Sequence, residues 1–337
     1  MALARAPAED EPVEAVLVAE WPERFEAPMS ELVEVLEDHG VPVEICAEAT
    51  GCPTDSVWMR DYGPLPVWGE QGQLIFGDAR YFGYRDDDDA VPQVLAPRWG
   101  AEVVEIDLPL EGGNLLRDGS GLCLGGSTIH TSHSWTAEEA ASRLEPAGCE
   151  QLVWLETLEG EGTHHVDVFV ALSGELAVVG EGSDPVLDEA ASALEAWTSV
   201  ARIPQPEALD LDGDGELDFP SFTNVLRAVH QGQRLLVVPS YEALPEESAA
   251  ALEQWTDLEP DWTVIGVDAS ELLVAGGALH CVTQTVPMAE PDEALPCGCG
   301  STRSAGLAPL LLALLGLQRR RARPGGLAGR RRRCGAG

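Results

Sequence analysis

The sequence contains no lysine, so all 20 basic residues are arginine, and they are outnumbered by 58 aspartate and glutamate residues. The formal net charge of −38 at pH 7 repels nucleic-acid phosphate and anionic lipid, which disfavours a nucleic-acid-binding function. The same charge attracts cationic substrates and divalent ions, although it can also serve solubility alone. The eight cysteines include no CxxC pair, which disfavours a zinc ribbon and a thioredoxin-type site.

Long apolar runs are also missing. The N-terminus has no apolar core of the kind found in signal peptides. The apolar run Ala305–Leu317 is short for a membrane span, which needs about 20 residues. Hydrophobic residues nevertheless make up 45% of the chain, which is enough to bury a core and argues against general disorder.

The last 41 residues differ from the rest of the chain. They hold 9 Arg and no acidic residue, whereas residues 1–296 carry 11 Arg against all 58 acidic residues, or 11 − 58 = −47. Cys297 and Cys299 precede the apolar run, and Arg319–Arg321 and Arg330–Arg333 follow it. This order resembles the C-terminal sorting tail of myxobacterial surface proteins, which is processed and exchanged for an anchor. The resemblance implies an exported protein that is surface-anchored or secreted, with a signal peptide lost upstream. A cytoplasmic protein with a functionless tail is the alternative.

Strand-like and helix-like segments alternate along the body of the chain, which predicts an α/β architecture. We predict one globular domain at 10–288, a Pro/Gly/Cys-rich linker at 289–304 and the tail at 305–337. Asp86–Asp89 is interpreted as a solvated turn. The predicted helices are Ser30–His39, Ala137–Leu144, Val186–Trp197 and Pro245–Trp255. The predicted strands are Val13–Ala19, Val41–Ile45, Glu102–Ile106, Leu115–Arg117, Leu122–Leu124, Leu152–Leu155, Val166–Leu172, Leu176–Val179, Leu235–Val238, Val264–Val267 and Leu279–Thr283.

Candidate catalytic residues occur in two of these segments. Cys281, in Ala278-Leu-His-Cys-Val-Thr283, is a candidate nucleophile at the end of the last predicted strand, although a lone strand cysteine is more often a core residue. In Thr163-His-His-Val-Asp167, His165 and Asp167 are two residues apart. On a strand they would face the same side, as an acid–base histidine beside a carboxylate requires.

Two further segments offer groups that suit a planar cation. Trp58-Met-Arg-Asp-Tyr-Gly-Pro64 places Asp61 at a rigid turn, with Trp58 nearby as an aromatic face. A buried Arg60–Asp61 pair that only holds the turn is the alternative. Glu111-Gly-Gly-Asn114 joins two predicted strands, and its glycines allow close approach of the backbone.

These four segments, in this order and with Ser221-Phe-Thr-Asn224, resemble the agmatine deiminase and bacterial peptidylarginine deiminase family from about residue 13 to 288. The resemblance implies the pentein fold, a five-bladed α/β propeller with a pseudo-fivefold arrangement of strand–helix modules. It also implies hydrolysis of a guanidinium group to a ureido product and ammonia through a covalent thiouronium, without a metal or organic cofactor. The implied site residues are Cys281 as nucleophile, His165 as general acid and base, Asp61 and Asp167 as the guanidinium-binding carboxylates, Trp58 as a wall and Asn224 as an orienting group.

The chemistry agrees with this resemblance. A guanidinium is planar and permanently charged, so two carboxylates can hold its edges. Its carbon is a poor electrophile and needs a thiolate, which the bound cation favours by lowering the pKa of the thiol. Peptidyl-arginine, arginine and agmatine all remain candidate substrates, and an arginine substrate would give citrulline.

The sequence departs from the family at two places. His164 stands where agmatine deiminases usually have glycine before the catalytic histidine. The stretch Tyr81–Asp89 is closer to the peptidylarginine branch, in which arginines after it are implied to bind the substrate's terminal carboxylate. Arg85 matches one such position, but Gly83 replaces its companion, which puts recognition of a C-terminal arginine in doubt.

A separate acidic segment has the spacing of a calcium loop. Gly215 falls at the turn position 6, but position 12 is Ser221, so the bidentate glutamate of an EF-hand is missing. A calcium-stabilised loop and a merely hydrophilic loop both remain open. The predicted ligands at positions 1, 3, 5 and 9 are Asp210, Asp212, Asp214 and Asp218.

Cys46 and Cys52 can form a disulfide in an exported protein, and two buried thiols are the alternative. Two other functions remain beside hydrolysis. One is an amidinotransferase of the same fold, and the other is an inactive, calcium-stabilised surface protein that only binds. No nucleic-acid partner is expected, and membrane or cell-surface attachment is expected only through the tail.

Overall fold

The structure is a computed structural model that describes residues 3–289. The described residues form one compact unit. The predicted linker and sorting tail lie outside the described residues from residue 290 onward. No helix within residues 3–289 is both long and apolar enough to cross a bilayer.

The α/β prediction is confirmed. The strands are β1 (Leu3–Arg5), β2 (Val13–Ala19), β3 (Val43–Cys46), β4 (Leu65–Gly69), β5 (Leu74–Arg80), β6 (Glu102–Pro109), β7 (Leu115–Arg117), β8 (Leu122–Gly126), β9 (Gln151–Leu155), β10 (Val170–Ser173), β11 (Leu176–Glu181), β12 (Ser199–Pro204), β13 (Leu226–His230), β14 (Gln233–Ser240), β15 (Thr263–Asp268) and β16 (Gln284–Pro287). The α-helices are α1 (Glu26–Asp38), α2 (Met59–Tyr62), α3 (Asp86–Asp89), α4 (Val91–Leu95), α5 (Thr128–Thr131), α6 (Ala137–Leu144), α7 (Pro185–Leu194), α8 (Pro245–Leu258) and α9 (Ser270–Leu273). Short 3-10 helices occur at Glu23–Phe25, Glu48–Thr50, Ala96–Arg98, Gly112–Asn114, Glu145–Ala147 and Val166–Val168.

The described strands form five small sheets with the same connectivity. In each sheet an antiparallel pair is followed by a helical connection to a third strand, which runs parallel to the second. β13 and β14 are antiparallel, for example, and α8 leads to β15, which is parallel to β14. The order is β16-β2-β3 in the sheet that joins both ends of the fold, and β1 extends the sheet β1-β4-β5-β6.

Apolar spacing explains why these segments fold as they do. In α1, Met29, Leu32 and Leu36 recur at helical spacing and are fully buried. Burial of each such side chain is worth about 1.5–3 kcal/mol. α6 begins at a capping box, in which the Thr136 hydroxyl accepts from Glu139 N and the Glu139 carboxylate accepts from Thr136 N.

Three sequence predictions were wrong at functionally important places. Leu279–Thr283 is a turn that precedes β16 rather than a strand. Val166–Val168 is a 3-10 helix, and β10 begins only at Val170. The acidic run Asp86–Asp89 is a short helix in which Asp88 is fully buried, because its carboxylate accepts from the backbone and side chain of Ser56 and from Asp55 N.

Candidate active site

The polar residues singled out by the sequence lie in the connections from one sheet to the next. One connection, between β3 and β4, carries Asp61 in α2, and the connection from β12 to β13 carries Asn224. His165 and Asp167 lie between β9 and β10, and Cys281 lies between β15 and β16. The remaining connection, between β6 and β7, carries Glu111. The contacts described below join all five connections.

The Cys281 turn is fixed by bonds to remote residues. Arg60 N donates to Cys281 O at 3.0 Å. The Asn224 side-chain oxygen accepts from His280 N at 2.9 Å and from Cys281 N at 3.3 Å. Asn224 Nδ2 lies 3.2 Å from Cys281 Sγ. The predicted orienting residue and nucleophile are therefore in direct contact.

Asp167 presents its two carboxylate oxygens to different partners. Oδ2 accepts from His280 Nδ1 at 2.7 Å and lies 3.9 Å from Cys281 Sγ. Oδ1 is buried and has no hydrogen-bond partner in the described part of the chain. A buried carboxylate oxygen without a donor is costly. It is therefore available for a donor that a substrate brings.

His165 lies between two further carboxylates. Its Nδ1 is 3.7 Å from Asp61 Oδ1, and its Nε2 is 3.3 Å from Glu111 Oε2. Asp61 is oriented in turn by Gly113 N, which donates to Asp61 Oδ1 at 3.2 Å. Both carboxylates attract a protonated imidazole, but neither contact is a hydrogen bond, and Nε2 is buried without a hydrogen-bond partner in the described part of the chain.

Gly113 explains one of the glycines of the Glu111-Gly-Gly-Asn114 segment. A Cβ at this position would lie 2.6 Å from His165 Nδ1, 3.0 Å from Asp167 Oδ2 and 3.1 Å from Asp61 Oδ1. Real Cβ atoms are essentially never within 3.0 Å of such atoms. Only glycine allows these three side chains to converge here.

The ionisation of the site follows from burial and charge. Burial, followed by the charges of Asp167 and Asp61, raises the pKa of the Cys281 thiol well above its ordinary value. Burial alone would lower the pKa of His165, but the charge of Asp61 and the nearby Glu111 carboxylate outweigh it and raise that pKa. Burial raises the pKa of Asp61, and Glu111 and Asp167 raise it further against the opposing effect of His165. The site therefore holds a neutral thiol and an imidazolium until a cation enters.

Asp61, Glu111 and His165 converge closely enough to be compared with a metal site. A metal ligand must be a neutral imidazole with a free lone pair. The raised pKa of His165 keeps its ring protonated near neutral pH. The cluster is better suited to an organic cation than to a metal ion.

A cavity of about 220 Å³ opens on Cys281. Trp58 lies behind its wall, because a Cβ at the lining residue Gly277 would lie 2.5 Å from the indole ring. None of the described residues that line this cavity is basic. The acidic residues at the cavity are Glu161, Asp212, Asp214, Glu216 and Asp218.

Arg85 is not brought to this cavity. Its Nη1 donates to Ser56 Oγ at 3.2 Å and to Tyr81 Oη at 3.0 Å, and it lies 3.9 Å from Asp88 Oδ2. Its guanidinium also packs over the Tyr84 ring at 5.7 Å. These contacts hold Arg85 against Ser56 and against side chains of its own segment.

The acidic loop brings three of its four predicted calcium ligands together. Carboxylate oxygens of Asp210, Asp212 and Asp214 lie within 4.8 Å of one another, and all three residues are exposed. The fourth, Asp218, accepts from Leu211 N at 3.0 Å and pairs with Leu209 through its backbone. The loop also forms one edge of the Cys281 cavity.

His164 has a backbone conformation that explains the glycine usual at this position. Its φ is 59°, in the left-handed region that glycine adopts without steric cost. Its backbone N donates to a carboxylate oxygen of Glu161. The loop before His165 is therefore held in a strained conformation in this chain.

Sequence reasoning missed the roles of Glu111 and His280. The segment Glu111-Gly-Gly-Asn114 attracts notice for its glycines, which draw attention away from Glu111. His280 stands out only as the residue before the predicted nucleophile. A third missed residue, Glu9, contacts His280 from 271 positions away. Only Glu111 carried a usable signal, because a carboxylate beside a close-approach glycine pair indicates a polar site.

The chain is similar to known proteins in sequence and in fold. The family model described as Porphyromonas-type peptidyl-arginine deiminase matches residues 1–287. A Photobacterium profundum protein named as an agmatine deiminase is 26% identical over 359 residues, covering 84% of this chain and 96% of that protein. A solved structure described as a peptidyl-arginine deiminase has 21% identity and a TM-score of 0.74, covering 86% of this chain and 100% of that one. The agmatine deiminase of Enterococcus faecalis has 22% identity and a TM-score of 0.72, covering 85% and 96%.

Proposed function

The chain belongs to the Porphyromonas-type peptidyl-arginine deiminase family, and from that premise we propose that Cys281 attacks the carbon of a guanidinium group held between Asp61 and Asp167. The enzyme is a hydrolase that acts on the C–N bonds of a linear amidine. The observation that carries the proposal is the buried Asp167 carboxylate: its Oδ2 lies 3.9 Å from Cys281 Sγ, and its Oδ1 has no hydrogen-bond partner in the described part of the chain. A guanidinium supplies the N–H donors that this oxygen lacks.

Substrate binding activates the nucleophile. The charges of Asp167 and Asp61 raise the pKa of Cys281, so a cation bound between them removes this effect and favours the thiolate. The thiol proton leaves to solvent. The thiolate then forms a C–S bond to the guanidinium carbon, with Asn224 Nδ2 placed to donate to the sulfur.

His165 moves the protons of the next two steps. As an imidazolium it donates a proton to the departing nitrogen, the C–N bond breaks, and ammonia leaves a thiouronium on Cys281. The neutral imidazole then accepts a proton from water as the water oxygen bonds to the carbon. The C–S bond breaks, the remaining hydroxyl proton passes to the Cys281 sulfur, the ureido product leaves and the Cys281 thiol is restored.

We further propose that the substrate carries no carboxylate near the cavity rim. The acidic lining repels an anionic tail and attracts a cationic one. Arg85 is engaged by Ser56 and Tyr81 instead of facing the cavity. Agmatine and internal peptidyl-arginine fit this rim better than free arginine or a C-terminal arginine.

The test compares the full chain with a Cys281→Ala variant on agmatine, free arginine, benzoyl-arginine amide and a peptide ending in arginine. We expect ureido product and ammonia in equal amounts from agmatine or the amide, and none from the variant. A higher kcat/KM for the carboxylate-bearing substrates would contradict the proposed rim selectivity. No product from any of the four, in a folded sample, would sink the hydrolase function. Transfer of the amidino group to an added amine would favour the amidinotransferase alternative.

We propose that the five sheets are arranged as the blades of a propeller around this site. The repeated connectivity of the sheets supports this arrangement, as does the delivery of site residues by all five connections between sheets. A crystal structure in which the sheets do not surround Cys281 would reject it.

We also propose an exported protein. Cys46 pairs with Cys52, and Cys123 pairs with Cys149, and such bonds persist in oxidising compartments. Alkylation and mass analysis of protein isolated from its native cells tests this location. Both pairs should resist alkylation until a reductant is added, and freely alkylated cysteines in all four positions would contradict export.

Calcium binding by the acidic loop is proposed on the convergence of Asp210, Asp212 and Asp214. Titration with calcium should raise the melting temperature of the full chain but not of an Asp212→Asn variant. Equal melting temperatures with and without calcium would leave the loop as a hydrophilic segment.

A further inference from the structure

A second buried histidine lies on the side of Asp167 away from its unpartnered oxygen. His280 Nδ1 lies 2.7 Å from Asp167 Oδ2, and His280 Nε2 lies 3.0 Å from Glu9 Oε1. Both ring nitrogens are therefore committed, and His280 is free neither to act on substrate nor to rotate. The mechanism above does not use it.

We infer that Glu9, on the segment that leads into β2, is a positioning residue that acts through His280 to hold Asp167 in the geometry that binds the guanidinium. This inference rests on the proposed function and adds to it a residue that does not touch the substrate. The segment containing Glu9 thereby becomes part of the active site, although it lies 158 positions from Asp167 and 272 from Cys281 (167 − 9 and 281 − 9).

The charges around His280 explain why Glu9 is needed. The charged groups that face the ring are Asp167, Glu9 and Arg60, and Arg60 Nη1 lies 3.3 Å from Glu9 Oε1. Arg60 Nε also donates to His280 O at 3.4 Å. Burial and Arg60 both lower the pKa of His280, and only the carboxylates raise it, with a net rise. Without the Glu9 charge, the pKa of His280 falls and the neutral ring is favoured.

Glu9 itself is well suited to carry a permanent charge. Burial would raise its pKa, but His280, Arg60 and Arg227 lower the value to about 2. Its side chain is 17% exposed. It therefore remains ionised wherever the enzyme works and cannot act as a proton donor there.

A protonated His280 fixes which oxygen of Asp167 is used. Oδ2 is occupied by a short, charge-assisted bond, so Oδ1 is left for the substrate. A neutral ring keeps at most one N–H, which Asp167 and position 9 must then share. We expect Asp167 to lose orientation and charge stabilisation in that state.

The test uses Glu9→Gln in the full chain, because glutamine keeps the shape and removes the charge. Glu11→Gln is the matched control, since Glu11 is on the same segment but accepts from Ala8 N and pairs with Arg5 instead of His280. The readout is kcat and KM for agmatine across pH.

For Glu9→Gln we expect KM to rise and kcat/KM to fall by about 10-fold at alkaline pH, the size of one strong hydrogen bond to a charged group. The loss should shrink as pH falls, because solvent protonates His280 once more below its lowered pKa. Glu11→Gln should follow the wild type throughout. A loss of the same size at every pH, or no loss, would overturn the inference.

Nitrogen NMR of the His280 ring in the unmodified protein gives a second, activity-independent measurement. A doubly protonated ring well above the ordinary histidine pKa of about 6.5 supports the inference. A neutral ring at neutral pH would overturn it. If the protein turns over none of the substrates but this ring is doubly protonated, the proposed function fails while the Glu9–His280–Asp167 contact stands.

Discussion

The two buried imidazoles of the candidate site, His165 and His280, each lie between two carboxylates and differ in how tightly they are held. His165 is 3.7 Å from Asp61 and 3.3 Å from Glu111. His280 is 2.7 Å from Asp167 and 3.0 Å from Glu9. The first has contacts longer than good hydrogen bonds, and the second has two short ones.

In the proposed mechanism, this difference separates proton transfer by His165 from positioning by His280. A group that must give up a proton and take it back cannot be locked into two short bonds, whereas a group that orients a carboxylate benefits from them. The same residue types therefore serve opposite needs within one site. Three further measurements test this contrast, in order of decreasing expected effect.

The largest effect is expected from Gly113→Ala. The added methyl group would enter the space between His165 Nδ1, Asp167 Oδ2 and Asp61 Oδ1. It would displace His165, the more loosely held of the two histidines. A displacement of about 1 Å can cost about 100-fold in rate. We expect kcat/KM to fall by at least that factor without loss of the folded state, measured by steady-state kinetics and circular dichroism.

Gly83→Ala is the control for this substitution, because nothing lies within 4 Å of a Cβ there and its φ is outside the left-handed region. It should keep wild-type activity. Wild-type activity in Gly113→Ala would show that the three side chains need not converge there.

A smaller, pH-dependent effect is expected from Glu111→Gln. Its carboxylate, 3.3 Å from His165 Nε2, raises the pKa of His165, and its charge also raises the pKa of Asp61. Without the charge both pKa values fall. The alkaline limb of kcat/KM, where His165 loses its proton, and the acid limb, where Asp61 gains one, should therefore both move to lower pH.

Glu156→Gln serves as the comparison, because Glu156 accepts from Ser127 Oγ and does not contact His165. Its pH profile should match the wild type. If neither limb of the pH profile moves in Glu111→Gln, Glu111 does not influence proton transfer by His165.

The sequence predicted the composition of the site better than the local structure of its parts. Cys281, His165, Asp167 and Asp61 were placed by motif, and Asn224 by a short polar segment. The strand predicted around Cys281 was wrong because its apolar pattern suits a strand, whereas bonds from Arg60 and Asn224 turn the chain there. Such partners are remote in sequence and leave no local signal.

The same limit applies to Glu9 and His280, whose partners are found only once the chain has folded. Asp88 is a further example. The acidic run Asp86–Asp89 predicts a solvated turn, but the Asp88 carboxylate is buried and accepts from Ser56 Oγ. The sheets were predicted best where strands alternate with long amphipathic helices. Strands β4, β5, β12 and β13 lay in segments for which no strand was predicted.

The smallest effect is expected from His164→Gly. Relief of the left-handed φ of 59° should add about 1 kcal/mol to the free energy of unfolding, partly offset by the entropy of glycine in the unfolded chain. Gln231→Gly is the matched control, with a φ of 48° outside the site. Both should gain similar stability in denaturant titrations, but only His164→Gly should change kcat, because its loop leads into His165. Equal kcat in both variants would show that the loop strain has no catalytic effect.

The most direct test of the central claim is intact mass analysis of the enzyme quenched with acid during turnover of agmatine. A covalent mechanism at Cys281 predicts an adduct with the mass of the substrate less ammonia, located on the peptide that contains Cys281 and absent from Cys281→Ser. Turnover by Cys281→Ser at the wild-type rate, with no adduct on either protein, would contradict the account.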